Sequence, residues 1–239
     1  VVKTKTPQIV ESRRNIMEFI LSEHPHVCLT CHRNEFCGPF DICLRHVGVS
    51  ERCVTCHENE HCELQTVARE LKLTEVRLPY RRRDVPLIHS DPFFDRDYNL
   101  RILCGRCVRV CADIRGAAAV AFTYRGSQAL VGTAFGQSLE DADCQFCGAC
   151  VDACPCGALA ERQNRWAGAP DRTVTSTCPF CGVGCTLDLQ VKDGKIIGSV
   201  PQENGVVNEG QACVKGRFGM DFINSPDRLT TPLIKKDGQ

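Results

Sequence analysis

Nineteen cysteines in 239 residues, most of them two or three positions from another, leave this chain few ways to fold. Cys28, Cys31 and Cys37 are spaced x2, x5; Cys53, Cys56 and Cys62 repeat that spacing, with Cys43 between the two sets. Cys104, Cys107 and Cys111 come next, then Cys144, Cys147, Cys150 and Cys154, with Cys156 close behind. Cys178, Cys181, Cys185 and a distant Cys213 form the last set. Disulfide staples do not suit this layout, because the count is odd and neighbouring thiols are too close in sequence to brace a scaffold. Aromatic residues make up only 6% of the chain, so something besides apolar packing must organise it. Lys and Arg (29) balance Asp and Glu (29), which argues against a nucleic-acid or anionic-membrane binder driven by bulk charge. The longest nearly unbroken apolar run, residues 117–122, is far too short to span a bilayer. These features suit a cytoplasmic chain.

Zinc is the bland alternative, since C-x2-C pairs make zinc knuckles. Zinc motifs usually offer two such pairs per site, whereas here three cysteines repeatedly crowd into seven to ten residues. Three thiolates from one tight loop and a fourth from farther away is how a cubane iron–sulfur cluster is held.

Cys144-x2-Cys147-x2-Cys150-x3-Cys154-Pro155 is the complete bacterial ferredoxin run, whose fourth cysteine ligates the other of two clusters. Cys111 is therefore expected with Cys144, Cys147 and Cys150, and Cys154 with Cys104 and Cys107. The partner run carries arginine at its first position: Arg101-x2-Cys104-x2-Cys107-x3-Cys111. That leaves several outcomes: a [3Fe-4S] cluster, a [4Fe-4S] cluster with a non-cysteine ligand, one completed by Cys156, no cluster, or a sequence error for Cys. The bland role for Cys156 is a small packed core thiol. Between the runs, residues 119–132 alternate and turn at Gly126, reading as a hairpin.

Residues 6–25 read as a helix with Ile9, Ile16 and Ile20 on one face, Phe19 flanking it and Pro25 ending it. His24-x3-Cys28-x2-Cys31-x5-Cys37 resembles the His/Cys-ligated four-iron site in the large iron–sulfur (G-type) subunit of NADH-quinone oxidoreductases and in related formate dehydrogenases. The run CELQ at Cys62 to Gln65, followed by a helix, resembles another part of that pattern. The resemblance implies His24 as the ligand of the first triplet. The second triplet has Val49 where a histidine would stand, so Cys43 is its expected fourth ligand and His46 the second choice; a single cluster built from both triplets is the rival. His26 and His32 are expected to be bystanders. The linker, residues 73–98, is mostly polar, and Arg81, Arg82 and Arg83 form either a solvated loop or a docking surface for an acidic partner.

Cys178-x2-Cys181-x3-Cys185-x27-Cys213 resembles the four-iron motif that opens the bis-pyranopterin molybdenum or tungsten oxidoreductases. The flanking residues 210–234 closely resemble formate dehydrogenase alpha subunits, and a hairpin is expected to turn at Asp193-Gly194. The resemblance implies that Lys215 lies between cluster and pterin and helps electrons cross; a solvated lysine is the alternative. It also implies that the family's catalytic residues and most of its pterin-binding fold lie beyond this segment. Both ends resemble cut edges, VVKTKTP being similar to the exit from a plant-type two-iron ferredoxin domain, so a middle fragment of a larger polypeptide is expected.

The expected fold is α+β: a His/Cys iron–sulfur module (1–72), a linker (73–98), a 2[4Fe-4S] ferredoxin-like module (99–170) and the four-iron opening domain of a molybdopterin oxidoreductase (171–239). The implied function is intramolecular electron transfer through about five [4Fe-4S] clusters, one of them in doubt at Arg101. A bis-pyranopterin guanine dinucleotide Mo or W centre is implied downstream. The implied partner is a flavin/NAD(P)-reducing or ferredoxin-type electron-transfer subunit. The alternatives are the G-type subunit of an NADH-quinone oxidoreductase, a stand-alone multicluster carrier and a zinc-binding module. No residue here suits a general base or nucleophile. Five four-ligand sites need twenty ligands, which the 19 cysteines and His24 supply only if Cys156 replaces the ligand missing at position 101.

Overall fold

Thr6 starts the first helix, accepting a hydrogen bond from the Ile9 amide at 3.3 Å, with Pro7 in the first turn where its missing N–H costs nothing. The computed structural model describes residues 2–236; Val1 and residues 237–239, the outermost parts of the two cut-edge resemblances, lie outside the described residues. The chain forms two units, Val1–Ala169 and Pro170–Gln239. No helix among the described residues is long and apolar enough to cross a membrane.

In the first unit, helix α1 (Pro7–Leu21) packs on helix α2 (Glu63–Glu70) through Met17, Leu21, Leu64 and Leu71, with Ile20, Leu29 and Cys62 at the margin. The buried face differs from the one expected. Ile16 is 58% and Phe19 66% exposed, whereas Met17 is 5% and Leu21 0%. The isoleucine spacing is helical, but α2 meets only the C-terminal half of α1. Glu18 is also buried there, paired with the Arg77 guanidinium at 2.9 Å.

The ferredoxin-like module is closed by two short antiparallel strands, β1 (Phe94–Arg96) and β4 (Leu159–Glu161). This pairing draws residues 94–96, read from sequence as linker, onto the module. Arg96 is buried and bidentate to Asp91 at 2.6 and 3.2 Å, and it donates to the Tyr98 hydroxyl at 3.0 Å. The hairpin of β2 (Ala121–Thr123) and β3 (Leu130–Gly132) forms around a 3₁₀ turn at Gly126–Gln128.

The arginine run braces the chain instead of standing free. Arg82 pairs with Glu51 at 3.1 Å and Asp84 at 2.9 Å; Arg83 pairs with Glu23 and donates to the Ala129 carbonyl at 3.2 Å. Even the Arg81 amide bonds the Ser22 carbonyl at 2.7 Å. These ties hold the loop to the rest of the unit, while Arg81 and Arg82 stay exposed.

The second unit is a three-stranded antiparallel sheet, β5 (Arg172–Thr177), β6 (Thr186–Lys192) and β7 (Lys195–Pro201), followed by helix α5 (Val214–Phe218). The β6–β7 turn has φ +49° at Asp193 and +75° at Gly194, the left-handed pair that matches strand twist in a two-residue hairpin. Ser199 on β7 donates to the Gly216 carbonyl of α5 at 2.9 Å, tying the helix to the sheet.

Two outcomes follow for the helical pair. Leu21→Ala is expected to cost about 2–5 kcal/mol, read as a lowered denaturant midpoint. The hydrogen-bonded Arg77 guanidinium holds the Glu18 carboxyl below its usual range. A depressed folded pKa contributes stability above the unfolded carboxylate's value and loses it as pH falls through the folded value. The Tm gap between the wild type and Glu18→Gln is therefore expected to be full near neutral pH and to close below about pH 4.

Candidate metal centres

The two ferredoxin half-sites share one backbone recipe. Leu103 (φ +55°) and Gly105 (φ +71°) bracket Cys104; Phe146 (φ +46°) and Gly148 (φ +76°) bracket Cys147. Left-handed backbone at a bulky residue costs on the order of 1–3 kcal/mol and is kept where a site needs it. It curls each loop so that the cysteines before and after the glycine face one side. Helix α3 (Arg106–Arg109) then runs into a π-helical turn, Val110–Ile114, that carries Cys111; helix α4 (Ala149–Asp152) delivers Cys154.

One cavity is lined by Cys104, Cys107, Cys111, Cys144, Cys147, Cys150, Cys154 and Cys156 together with Arg101. Burial raises the Cys144 thiol, and Cys111 and Cys147 push it the same way. Burial likewise raises Cys107, with Arg101 opposing and Cys154 and Cys104 adding. Arg101 itself is buried, its guanidinium 5.0 Å from the Tyr98 ring centroid, and its Nη1 has no hydrogen-bond partner. Cys156 is 2% exposed and donates to the Leu100 carbonyl at 3.0 Å.

The N-terminal thiols form two neighbouring cavities, and the fourth residues are exchanged relative to expectation. Cys28, Cys31 and Cys37 share their cavity with Cys43; His24 shares its cavity with Cys53, Cys56 and Cys62. The reason lies in the helix pair. Leu21 is packed on Leu64, so His24, three residues past Leu21, arrives beside Cys62, two residues before Leu64. Residues 38–52 loop back and leave Cys43 with the first triplet.

His24 is buried, and burial pushes its pKa down to about 4, so the ring is neutral. Its Nδ1 donates to the Pro25 carbonyl at 2.8 Å, which leaves the Nε2 lone pair bare. Cys43 accepts hydrogen bonds from the Val47 and Arg45 amides, which lower its pKa towards thiolate. His26 is tied to the Leu21 carbonyl at 2.8 Å, and His32 and His46 are exposed.

The cavities touch. The Cys28 and Cys53 thiols share a hydrogen bond, which raises Cys53. On the other side, the Glu63 amide bonds the Pro155 carbonyl at 3.1 Å, Cys62 Sγ lies 3.6 Å from that same oxygen, and His57 Nε2 meets the Leu159 carbonyl at 3.0 Å. Gly157 sits so tightly on Cys56 that a Cβ there would overlap its sulfur. Sequence reasoning missed Gly157 and His57, because neither belongs to a motif and their roles arise only where two modules meet.

In the second unit Cys178 is buried at the end of β5, and its amide bonds the Cys185 carbonyl at 2.8 Å. Cys213 precedes α5, where the amides of Gly216 and Lys215 lower its pKa. Burial raises Cys185, and Cys178, Cys181 and Cys213 add to the rise, so the four sulfurs face one another. Lys215 is exposed one turn from Cys213.

Among the described residues, no three His, Cys, Asp or Glu side chains converge tightly enough to hold one metal ion. The thiols line the walls of cavities.

Three family models match separate parts of the chain. Residues 13–38 match the NADH-ubiquinone oxidoreductase-G iron-sulfur binding region, residues 92–160 the ferredoxin-like domain of NADH-quinone oxidoreductase subunit 3, and residues 171–225 the molybdopterin oxidoreductase Fe4S4 domain. The F420-dependent formate dehydrogenase 2 subunit alpha of Methanococcus maripaludis is 52% identical over 68 residues, 28% of this chain and 10% of that protein. This chain carries the iron–sulfur electron-transfer domains of formate dehydrogenase- and NADH-quinone oxidoreductase G-type proteins. The NADPH-Fe(3+) oxidoreductase subunit alpha of Geobacter sulfurreducens is 34% identical over 98% of the chain, which spans 24% of that relative's length. Both relatives are oxidoreductase subunits. The fold also resembles a chain of the NAD+-reducing [NiFe]-hydrogenase in the H2-reduced state, with TM-score 0.50 and 23% identity over 66% of this chain and 57% of that one.

The close seat of Gly157 on Cys56 is testable. Gly157→Ala is expected to overpack the contact at about 1–3 kcal/mol, lowering both Tm and the iron retained per chain in anaerobic preparations.

Proposed function

We propose that the chain conducts electrons through five [4Fe-4S] clusters in a formate dehydrogenase-like oxidoreductase. The observation that carries this reading is the unbroken row of four thiol sites in the first unit, each touching the next. The ligand sets are Cys28, Cys31, Cys37 and Cys43; His24, Cys53, Cys56 and Cys62; a ferredoxin pair with Cys111, Cys144, Cys147 and Cys150 on one side and Cys104, Cys107 and Cys154 on the other; and, in the second unit, Cys178, Cys181, Cys185 and Cys213. When bound, such clusters exchange single electrons at potentials set by ligand type, charge and hydrogen bonding.

The residues of the chain supply spacing, ligands and tuning. Neutral His24 in place of a thiolate makes its site less negative, as in Rieske centres, and so favours the reduced state. Amides directed at Cys43 and Cys213 stabilise the thiolates that ligation requires. Burial of the ferredoxin thiols keeps water from the site.

The substrate is formate, oxidised at a bis-pyranopterin-bound Mo or W centre outside these 239 residues, with Lys215 between that centre and the Cys213 site. The partner is a flavin/NAD(P)-reducing or ferredoxin-type subunit, and the complex works in the cytoplasm. A second reading, oxidation of NADPH with ferric iron as acceptor, is favoured by the similarity to the Geobacter protein along 98% of the chain. Assaying the full holoenzyme separates them: formate-dependent dye reduction supports the first, and NADPH-dependent ferric reduction without formate activity supports the second.

Anaerobic preparations are expected to contain iron and acid-labile sulfide in equal amounts; zinc without sulfide would overturn the cluster reading. His24→Cys is expected to keep the iron content and lower the potential of one cluster in an EPR-monitored redox titration, while leaving the others unmoved.

A further inference from the structure

Two departures from the ferredoxin pattern lie side by side in space. Arg101 occupies the place that Cys144 holds in the second half-site, and Cys156 is a thiol beyond the eight-position pattern. Cys156 Sγ is 3.0 Å from the carbonyl of Leu100, the residue before Arg101. Both line the cavity of Cys104, Cys107 and Cys154. The loop has not been abandoned: Leu103 and Gly105 keep the same left-handed pair as Phe146 and Gly148. A site that had lost its group would have no use for that strained turn. It would also leave four thiols around one cavity, with a buried cation whose Nη1 donor has no partner.

We propose that the fourth thiolate of this site has moved from position 101 to Cys156, and that Arg101 stays as a hydrogen-bond donor and fixed positive charge towards the cluster. Chain length does not prevent the move, because Pro155–Gly157 already passes against the Leu100–Arg101 corner. Ligation takes the Cys156 thiol proton to solvent and shares a sulfur electron pair with iron, with no change of oxidation state. Tyr98 holds Arg101 in place through its ring face, and Tyr98 is in turn held by Arg96. A cation beside the cluster offsets its negative charge and stabilises the reduced form. The exchange therefore restores the full ligand count and makes this half-site the more easily reduced of the pair. The inference rests on the iron–sulfur reading above.

The test uses the full chain, loaded anaerobically, with iron and sulfide analysis, Mössbauer and EPR spectra. A wild type without iron and sulfide overturns the iron–sulfur reading itself before any variant is made. With loaded wild type, Cys156→Ala is expected to lose about one iron per chain and to gain the EPR signal of an oxidised three-iron cluster. Unchanged iron and spectra would overturn the proposal and leave Cys156 a core thiol. Should Cys156→Ala lose the whole cluster or fail to fold, the double variant Arg101→Cys/Cys156→Ala decides: recovery of wild-type iron supports the relocation, and no recovery overturns it. Arg101→Gln is expected to keep the iron and shift the reduction equilibrium of this one cluster about tenfold towards the oxidised form, about 59 mV for one electron. An unmoved potential would overturn the role given to Arg101.

Discussion

The segment Pro155–Leu159 is a wall with a thiol site on each face. Towards the ferredoxin cavity it is continuous with Cys154 and contributes Cys156; towards the N-terminal cavity it receives Cys56, Cys62 and His57 on its backbone. Gly157 keeps this wall one backbone thick. The modules of the first unit meet there through main chain and sulfur, and Ile102 adds an apolar contact to the core of the helix pair.

The helix pair sets what the N-terminal thiols can do. Packing Leu21 on Leu64 fixes where the chain leaves α1, and the histidine three residues later lines the cavity of Cys53, Cys56 and Cys62. The hydrogen bond from Nδ1 to Pro25 then settles which nitrogen is free. The packing of two short helices thus places a neutral imidazole in one cavity, while Cys43 lines the neighbouring one.

Much of this was legible in the sequence because cluster motifs are local. The bacterial ferredoxin run, the x2, x3, x27 spacing of the last set and the Asp-Gly hairpin each place several residues from a short stretch of chain. The pairing of His24 was not legible, since the 38–52 insertion separates it from the triplet it joins and only tertiary packing brings them together. The buried face of α1 was misjudged for a related reason: helical periodicity says which residues share a stripe, and the neighbour decides how far along the stripe is covered. Arg82 and Arg83 looked like a surface feature because their acceptors, Glu51, Glu23 and the Ala129 carbonyl, lie 31 to 60 residues away in sequence. Residues 94–96 looked like linker because a three-residue strand carries almost no pattern until its partner is known.

A one-strand partition between metal sites also couples their fates. Oxidative loss of iron on one face would free Cys154 and unseat the backbone to which Cys56, Cys62 and His57 are anchored, opening the adjacent site to the same oxidant. Damage in this chain should spread from site to site instead of staying where it began, and maturation should meet the same coupling in reverse, with the first cluster inserted preparing the wall of the next.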